Sequence, residues 1–219
     1  MFEGESPENY EQKCLCMLVL DTSSSMAGES INQLNRGLSN FHKEVIEDFV
    51  ASQRLEVGIV TFDSNVICIQ EPKLVNNFEM PTLYTNGSTK LVDGVRMAID
   101  IVENRKKHYK ESGQNYYRPI IVLITDGEPD SDQDITGLSK EVSSKIASKS
   151  FMFYSIGVDG YNHQKLNQIC STPPPQPLAG HKFYEFFKWL SNSIGIITKS
   201  TEGETLMLPP VSDWTQIQM

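Results

Sequence analysis

Residues 14–20, CLCMLVL, form an unbroken apolar run that Asp21 ends sharply, the pattern of a strand covered on both faces. Apolar side chains then recur at intervals of three and four through Ile31, Leu34, Leu38, Phe41, Val45 and Phe49. That spacing predicts one amphipathic helix over about residues 29–51, packed on the sheet by a single face. LEVGIVTF at 55–62 predicts a second strand, and NVICI at 65–69 follows after only Asp63 and Ser64. So short a gap excludes a parallel crossover, so the third strand is expected to pair antiparallel as a hairpin. A loop over about 70–88 carries Pro72, Pro81 and Gly87. Leu91, Val92, Val95, Ala98, Ile99 and Val102 then mark a helix whose polar continuation, ENRKKHYKESGQN, is expected to be a solvated end. Pro119 opens the strand IIVLIT, closed by Asp126-Gly127; 136–149 has helical spacing, 151–158 is strand-like, and 162–170 predicts a short helix. Prolines 173–175 break what precedes them. Phe183, Phe186, Phe187, Leu190, Ile194 and Ile197 give a last core-facing helix, before a tail containing Leu206, Leu208 and Trp214.

Strands alternating with helices predict an α/β fold: a doubly wound, mostly parallel six-stranded sheet with one antiparallel edge strand and helices on both faces. Five of those strands have a pattern in the sequence. The expected organisation is a flexible N-terminus (1–12), one domain (13–200) and a C-terminal extension (201–219), with no internal repeat or linker.

Charge and composition narrow the function. Nineteen Lys and Arg against 28 Asp and Glu give a formal charge of −9, which argues against nucleic-acid binding. The 39% hydrophobic and 21% charged content is that of an ordinary globular protein. No apolar run approaches the roughly 18 residues of a membrane span. MFEGESPENYEQK lacks the basic and apolar regions of a secretory leader, so a cytoplasmic location is expected. Cys14, Cys16, Cys68 and Cys170 show no metal-ligand spacing with one another or with a His, and are expected to be reduced structural thiols.

In such sheets ligands bind outside the carboxyl ends of the strands. After the first strand stands Asp21-Thr22-Ser23-Ser24-Ser25, a carboxylate and two hydroxyls at alternate positions; after the fourth stands Thr125-Asp126-Gly127, a second carboxylate. Oxygen donors without His or Cys suit a hard cation, Mg²⁺ above all, with Mn²⁺ or Ca²⁺ as alternatives. The same composition also suits a plain turn, with Ser25 or Ser30 capping the next helix, and Asp-Gly is a common turn dipeptide. The joint occurrence of the donors, each in its place, favours the metal.

DxSxS, a Thr in a later loop and an Asp at a strand end together resemble the metal-ion-dependent adhesion site of von Willebrand factor A domains. The resemblance implies that Asp21, Ser23, Ser25, Thr89 and Asp126 ligate the metal, although Thr82, Thr85 and Ser88 share the loop with Thr89. The likeness extends through Val60-Thr61-Phe62-Asp63, the segment LITDGEP, and FFKWLSNSI at 186–194. It is similar to the cytosolic bacterial A domains of the tellurium-resistance (TerY-like) group over about residues 13–200, with GETLMLPP and Trp214 resembling that group's C-terminal extension. Two departures put Ser24 where the group commonly has Gly, and NGST where Gly-Gly-Thr is usual. Neither removes a ligand, but both replace a permissive Gly. The resemblance implies a metal-dependent docking module whose ion accepts an Asp or Glu of a partner protein, in a tellurium-resistance or stress-response complex. It also implies a serine/threonine kinase or phosphatase as the partner; the acidic charge and the lack of a long apolar run leave no expected role for nucleic acid or membrane.

Three further features bear on this reading. Asp130, Asp132, Asp134 and Glu141 fall at EF-hand positions 1, 3, 5 and 12, but Ile135 stands where the turn needs Gly, so a solvated acidic loop is expected. Phe183, Phe186, Phe187 and Trp189 have the spacing of core residues, with Trp189 expected to be partly exposed. The alternative class is a metal-dependent phosphoryl-transfer hydrolase with Asp21 as nucleophile. It lacks the second acid two residues on, where Ser23 stands, and the chain has no G-x-S-x-G, P-loop or G-x-G-x-x-G.

Overall fold

The computed structural model describes residues 9–126, 129–178, 180, 182–201 and 204–211. The strands β1 (Cys14–Asp21), β2 (Leu55–Phe62), β3 (Val66–Leu74), β4 (Ile120–Thr125), β5 (Met152–Gly157) and β6 (Gln176–Pro177) form one sheet in the order β3-β2-β1-β4-β5-β6. β3 pairs antiparallel to β2 at one edge, and every other pairing is parallel. The helices are α1 (Glu29–Glu47), α2 (Phe49–Arg54), α3 (Leu91–Ser112), α4 (Ile135–Ala147), α5 (His163–Ile169) and α6 (Phe183–Lys199).

The unbroken apolar run of β1 is explained by two cores. Cys14, Cys16, Leu18 and Leu20 face the layer of α1, α2 and α6, while Leu15, Met17 and Val19 face α3, α4 and α5. Alternate side chains of a strand point to opposite faces, so both sets must be apolar. On the first face α1 lies close to α6: Gly37 sits where an added Cβ would fall 2.6 Å from the Phe187 ring, so only glycine permits this approach. All four cysteines are free. Burial pushes the Cys14 thiol up to about 12 and raises Cys16 further, which keeps both protonated. Among the described residues no helix is long and apolar enough to cross a membrane.

The structure departs from the expected elements in five places. The single helix over 29–51 is two, because the Asp48 carboxylate accepts from Val50 N (3.0 Å) and Ala51 N (3.1 Å) and caps α2. Phe49 consequently leaves the apolar stripe and is 80% exposed. β3 runs on to Leu74 through a register irregularity opposite Gly58, well past the expected end. The polar run after Val102 is no solvated end: Arg105 and Tyr109 are buried, bound to Glu56 on β2. β6 follows the three prolines as a two-residue pairing. Trp189 is buried beneath the tail, its Nε1 donating to the Pro209 carbonyl at 2.8 Å, and Leu206, Leu208 and Val211 pack on the same core. Trp214, in the same tail, and residues 1–8 lie outside the described residues.

Candidate metal centre

Strand order reverses between β1 and β4, the place where open α/β sheets leave a crevice at their carboxyl edge. The parallel register sets Leu20 beside Ile124, so Asp21 and Thr125 come next, side by side, with Asp126 one residue beyond. Asp21 is fully buried. Its Oδ1 accepts from Ser23 N at 2.8 Å, and its Oδ2 accepts from the Thr125 hydroxyl at 2.5 Å. The Ser23 and Ser25 hydroxyls lie 3.0 Å apart, and Ser25 Oγ donates to Asp126 Oδ1 at 2.8 Å. Asp21, Ser23, Ser25 and Asp126 thus form a continuous arc of oxygens. The arc is open to water at one end, where Ser25 is exposed and Asp126 half-buried. Neither Ser25 nor Ser30 caps the helix: the N-cap of α1 is Gly28, whose φ of 86° suits glycine.

The loop before α3 is drawn against this arc. Asn86 N donates to the Thr22 carbonyl (2.8 Å) and Ser24 N to the Gly87 carbonyl (3.1 Å). Gly87 has φ 63°, and a Cβ there would lie 2.0 Å from Ser64 Oγ, so glycine is required even though the loop reads NGST. Of the four hydroxyl residues in this loop, Thr89 is the buried one. Thr82 and Ser88 are exposed, Thr85 is half-buried, and Ser88 is engaged with Ser64. The backbone of Thr89 is clamped from the β4 side. Its carbonyl accepts from Asp130 N (3.2 Å) and Gln133 Nε2 (2.6 Å), and its N donates to Asp130 Oδ1 (3.3 Å).

Those bonds also account for the acidic run after β4. Asp130 holds the Thr89 loop, Asp134 caps α4 through Gly137 N and pairs with Arg96 at 2.9 Å, and Glu141 approaches Arg96 at 3.6 Å. These carboxylates are turned to separate partners rather than to one calcium ion. Gly127 and Glu128 lie outside the described residues. Thr125, Asp130 and Gln133 position the site; the sequence singles out Asp130 only as an EF-hand position and gives neither Thr125 nor Gln133 a role. Thr125 was within reach, since the residue level with Asp21 follows once β1 and β4 are taken as parallel neighbours. Gln133 gives no such signal.

Burial pushes the Asp21 carboxyl up to about 6, against the pull of the hydrogen bonds from Ser23 and Thr125. Burial likewise raises Asp126, whose bond from Ser25 works in the opposite direction. Among the described residues neither carboxylate forms an ion pair with Lys, Arg or His. Two close, partly desolvated carboxylates with hydroxyls between them and no cationic side chain make a donor set that fits a hard divalent cation. Among the described residues no group of three or more His, Cys, Asp and Glu converges, so a set suited to softer metals is not formed there.

Comparison with known proteins agrees with this architecture. The chain is 36% identical over 140 residues to calcium-activated chloride channel regulator 1 of Macaca mulatta, covering 60% of this chain and 13% of that protein. It is 27% identical over 172 residues to the human collagen alpha-6(VI) chain, covering 74% of this chain and 7% of that protein. It therefore spans only a small part of either relative. Among solved structures, the pilus adhesin SpaC of Lactobacillus rhamnosus GG superposes with a TM-score of 0.66 at 14% identity, over 84% of this chain and 30% of that one. The PilB minor pilin of Streptococcus sanguinis gives 0.61 at 17% identity, over 86% and 63%. The model of the von Willebrand factor type A domain matches residues 16–187, from the first strand into the last helix, and the chain belongs to that family.

Proposed function

We propose that the chain is a metal-dependent docking module in which Asp21, Ser23, Ser25, Thr89 and Asp126 hold one Mg²⁺ and an Asp or Glu of a partner protein completes the coordination. The observation that carries this reading is the oxygen arc itself: a buried carboxylate with no counter-cation among the described residues, joined through two hydroxyls to a second carboxylate facing solvent. When bound, the ion supplies an electrophilic centre for an incoming carboxylate oxygen. The chain's own residues do the rest. Thr125 and Ser23 N fix the orientation of the Asp21 carboxylate, Asp130 and Gln133 hold the Thr89 backbone, and Ser25 and Asp126 form the solvent side. Because the chain carries −9, an acidic partner gains little from long-range attraction, and its affinity resides in the metal contact.

The adhesin, pilin and channel-regulator relatives support an interaction role over catalysis, and the resemblance of FFKWLSNSI and GETLMLPP to the tellurium-resistance group extends the proposal to a stress-response complex. In that setting the module acts in the cytoplasm and the partner is a serine/threonine kinase or phosphatase.

Calorimetric titration of the purified chain with Mg²⁺ and with Mn²⁺ should show one ion bound, and Asp21→Ala should abolish the signal. Unchanged metal affinity in both Asp21→Ala and Asp126→Ala would remove the basis of the reading. The same preparation should not turn over p-nitrophenyl phosphate with either metal. Metal-dependent hydrolysis lost in Asp21→Asn would favour the phosphoryl-transfer alternative instead.

A further inference from the structure

Resting on the docking reading, we infer that Tyr84 selects the partner segment, favouring a lone Asp or Glu that has an aromatic or aliphatic residue beside it. Tyr84 is 80% exposed, yet it does not stand on a loose loop. Leu83 before it is turned inward at 4% exposure, and one side chain grips both of its backbone groups: Asn35 Oδ1 accepts from Leu83 N (2.8 Å), and Asn35 Nδ2 donates to Leu83 O (3.0 Å). Two residues after Tyr84, Asn86 N is bonded to the Thr22 carbonyl, and Gly87, confined to positive φ, is bonded to Ser24 N. Two residues of chain reach at most about 7 Å, and the Asn86 bond adds 2.8 Å, so the Tyr84 backbone is held within about 10 Å of the Thr22 carbonyl of the DTSSS loop.

A large ring held at both flanks of its backbone loses little freedom when something packs on it, and this is what makes a tyrosine an effective recognition residue. The charges around it determine what that something is. Glu29, at the start of α1, and Asp132, in the loop after β4, are exposed at the same edge, and the site adds Asp21, Asp126 and Asp130; Lys90 offsets them only in part. A partner segment carrying several acids is therefore repelled everywhere except at the metal. A segment with one carboxylate meets the metal and leaves an apolar neighbour for the Tyr84 ring.

The test uses an immobilised array of synthetic nonapeptides, each with one central Asp and varied flanking residues, probed with the full Mg²⁺-loaded chain. The wild type should retain peptides with Leu, Phe or Tyr beside the Asp about three- to tenfold better than those with Gly or Glu there. Tyr84→Ala should keep its calorimetric Mg²⁺ affinity and its requirement for the central Asp while losing the flank preference, and Tyr84→Phe should keep all three. The same flank profile in Tyr84→Ala as in the wild type, or no flank preference in the wild type, overturns the role of Tyr84 while leaving docking intact. Absence of any binding that depends on both Mg²⁺ and Asp126 overturns docking, and this inference with it.

Discussion

In metal-free buffer at neutral pH, Asp21→Asn is expected to make the protein more stable, by about 2–3 kcal/mol, while removing all stabilisation by Mg²⁺. Burial raises the Asp21 carboxyl from 3.8 to about 6, which corresponds to a penalty of about 3 kcal/mol on its charged form. Asparagine keeps the shape and the acceptor for Ser23 N, and the Thr125 hydroxyl can turn from donor to acceptor toward the new amide. On the proposed docking reading the charge is retained for a cation: a ligand present at 100 times its Kd stabilises a native chain by about 2.7 kcal/mol. Urea unfolding of both proteins, in EDTA and in Mg²⁺, gives the four values needed. A less stable Asp21→Asn protein in EDTA would mean that the hydrogen bonds to the carboxylate outweigh its burial, and that the residue serves the fold rather than an ion.

The largest loss of stability should come from the opposite end of the sheet. Glu56 and Arg105 are 1% and 2% exposed. Glu56 Oε2 accepts from Arg105 Nε (2.8 Å) and from the Tyr109 hydroxyl (2.5 Å), and Oε1 accepts from a second guanidinium nitrogen at 2.7 Å. Glu56→Ala leaves that guanidinium buried without its carboxylate, at a cost of about 3–5 kcal/mol. The triple variant Glu56→Leu, Arg105→Met and Tyr109→Phe should recover most of the loss, because an apolar set in the same space leaves neither a buried charge nor the Tyr109 hydroxyl without a partner. Denaturant midpoints measure both. Glu56 stands at the amino end of β2 and the oxygen arc lies beyond the carboxyl ends, so Mg²⁺ affinity should be unchanged in whichever variants remain folded. An equal loss in the triple variant would show that the cluster specifies the packing of α3 rather than only neutralising itself.

What was legible in the sequence followed from how completely burial dictates residue type. β1, β2 and β4 are covered on both faces and are apolar throughout apart from Asp21, Glu56, Gly58 and Thr residues, so their runs announce them. The hairpin followed from the shortness of its connection. Arg105 and Tyr109 escaped because a polar run looks the same whether it is solvated or paired inside, and the partner, Glu56, is 49 residues away from Arg105. Phe49 escaped because periodicity cannot see that Asp48 stops one helix and caps the next. β6, two residues with a proline, has no pattern to find. Trp189 was misjudged because its cover comes from Pro209 and the tail, outside the helix that set its spacing. At the site, order along the chain brought forward residues that the sheet sets together, whereas the grip of Asp130 and Gln133 on Thr89 is a matter of loop conformation.

The antiparallel strand β3 also bears on the colloidal behaviour of the protein. It closes one margin of the sheet, with Ile67 53% and Ile69 38% exposed, so its outer backbone groups form an open template for another strand. Glu71, Pro72 and Lys73 guard its second half by charge and by a missing N–H. The five residues VICIQ before them carry no charge, which leaves the mutual repulsion of chains bearing −9 as the main force keeping two such margins apart. Dispersal of the folded protein is therefore tied to ionic strength, and salt that screens that repulsion weakens the protection of this one segment first.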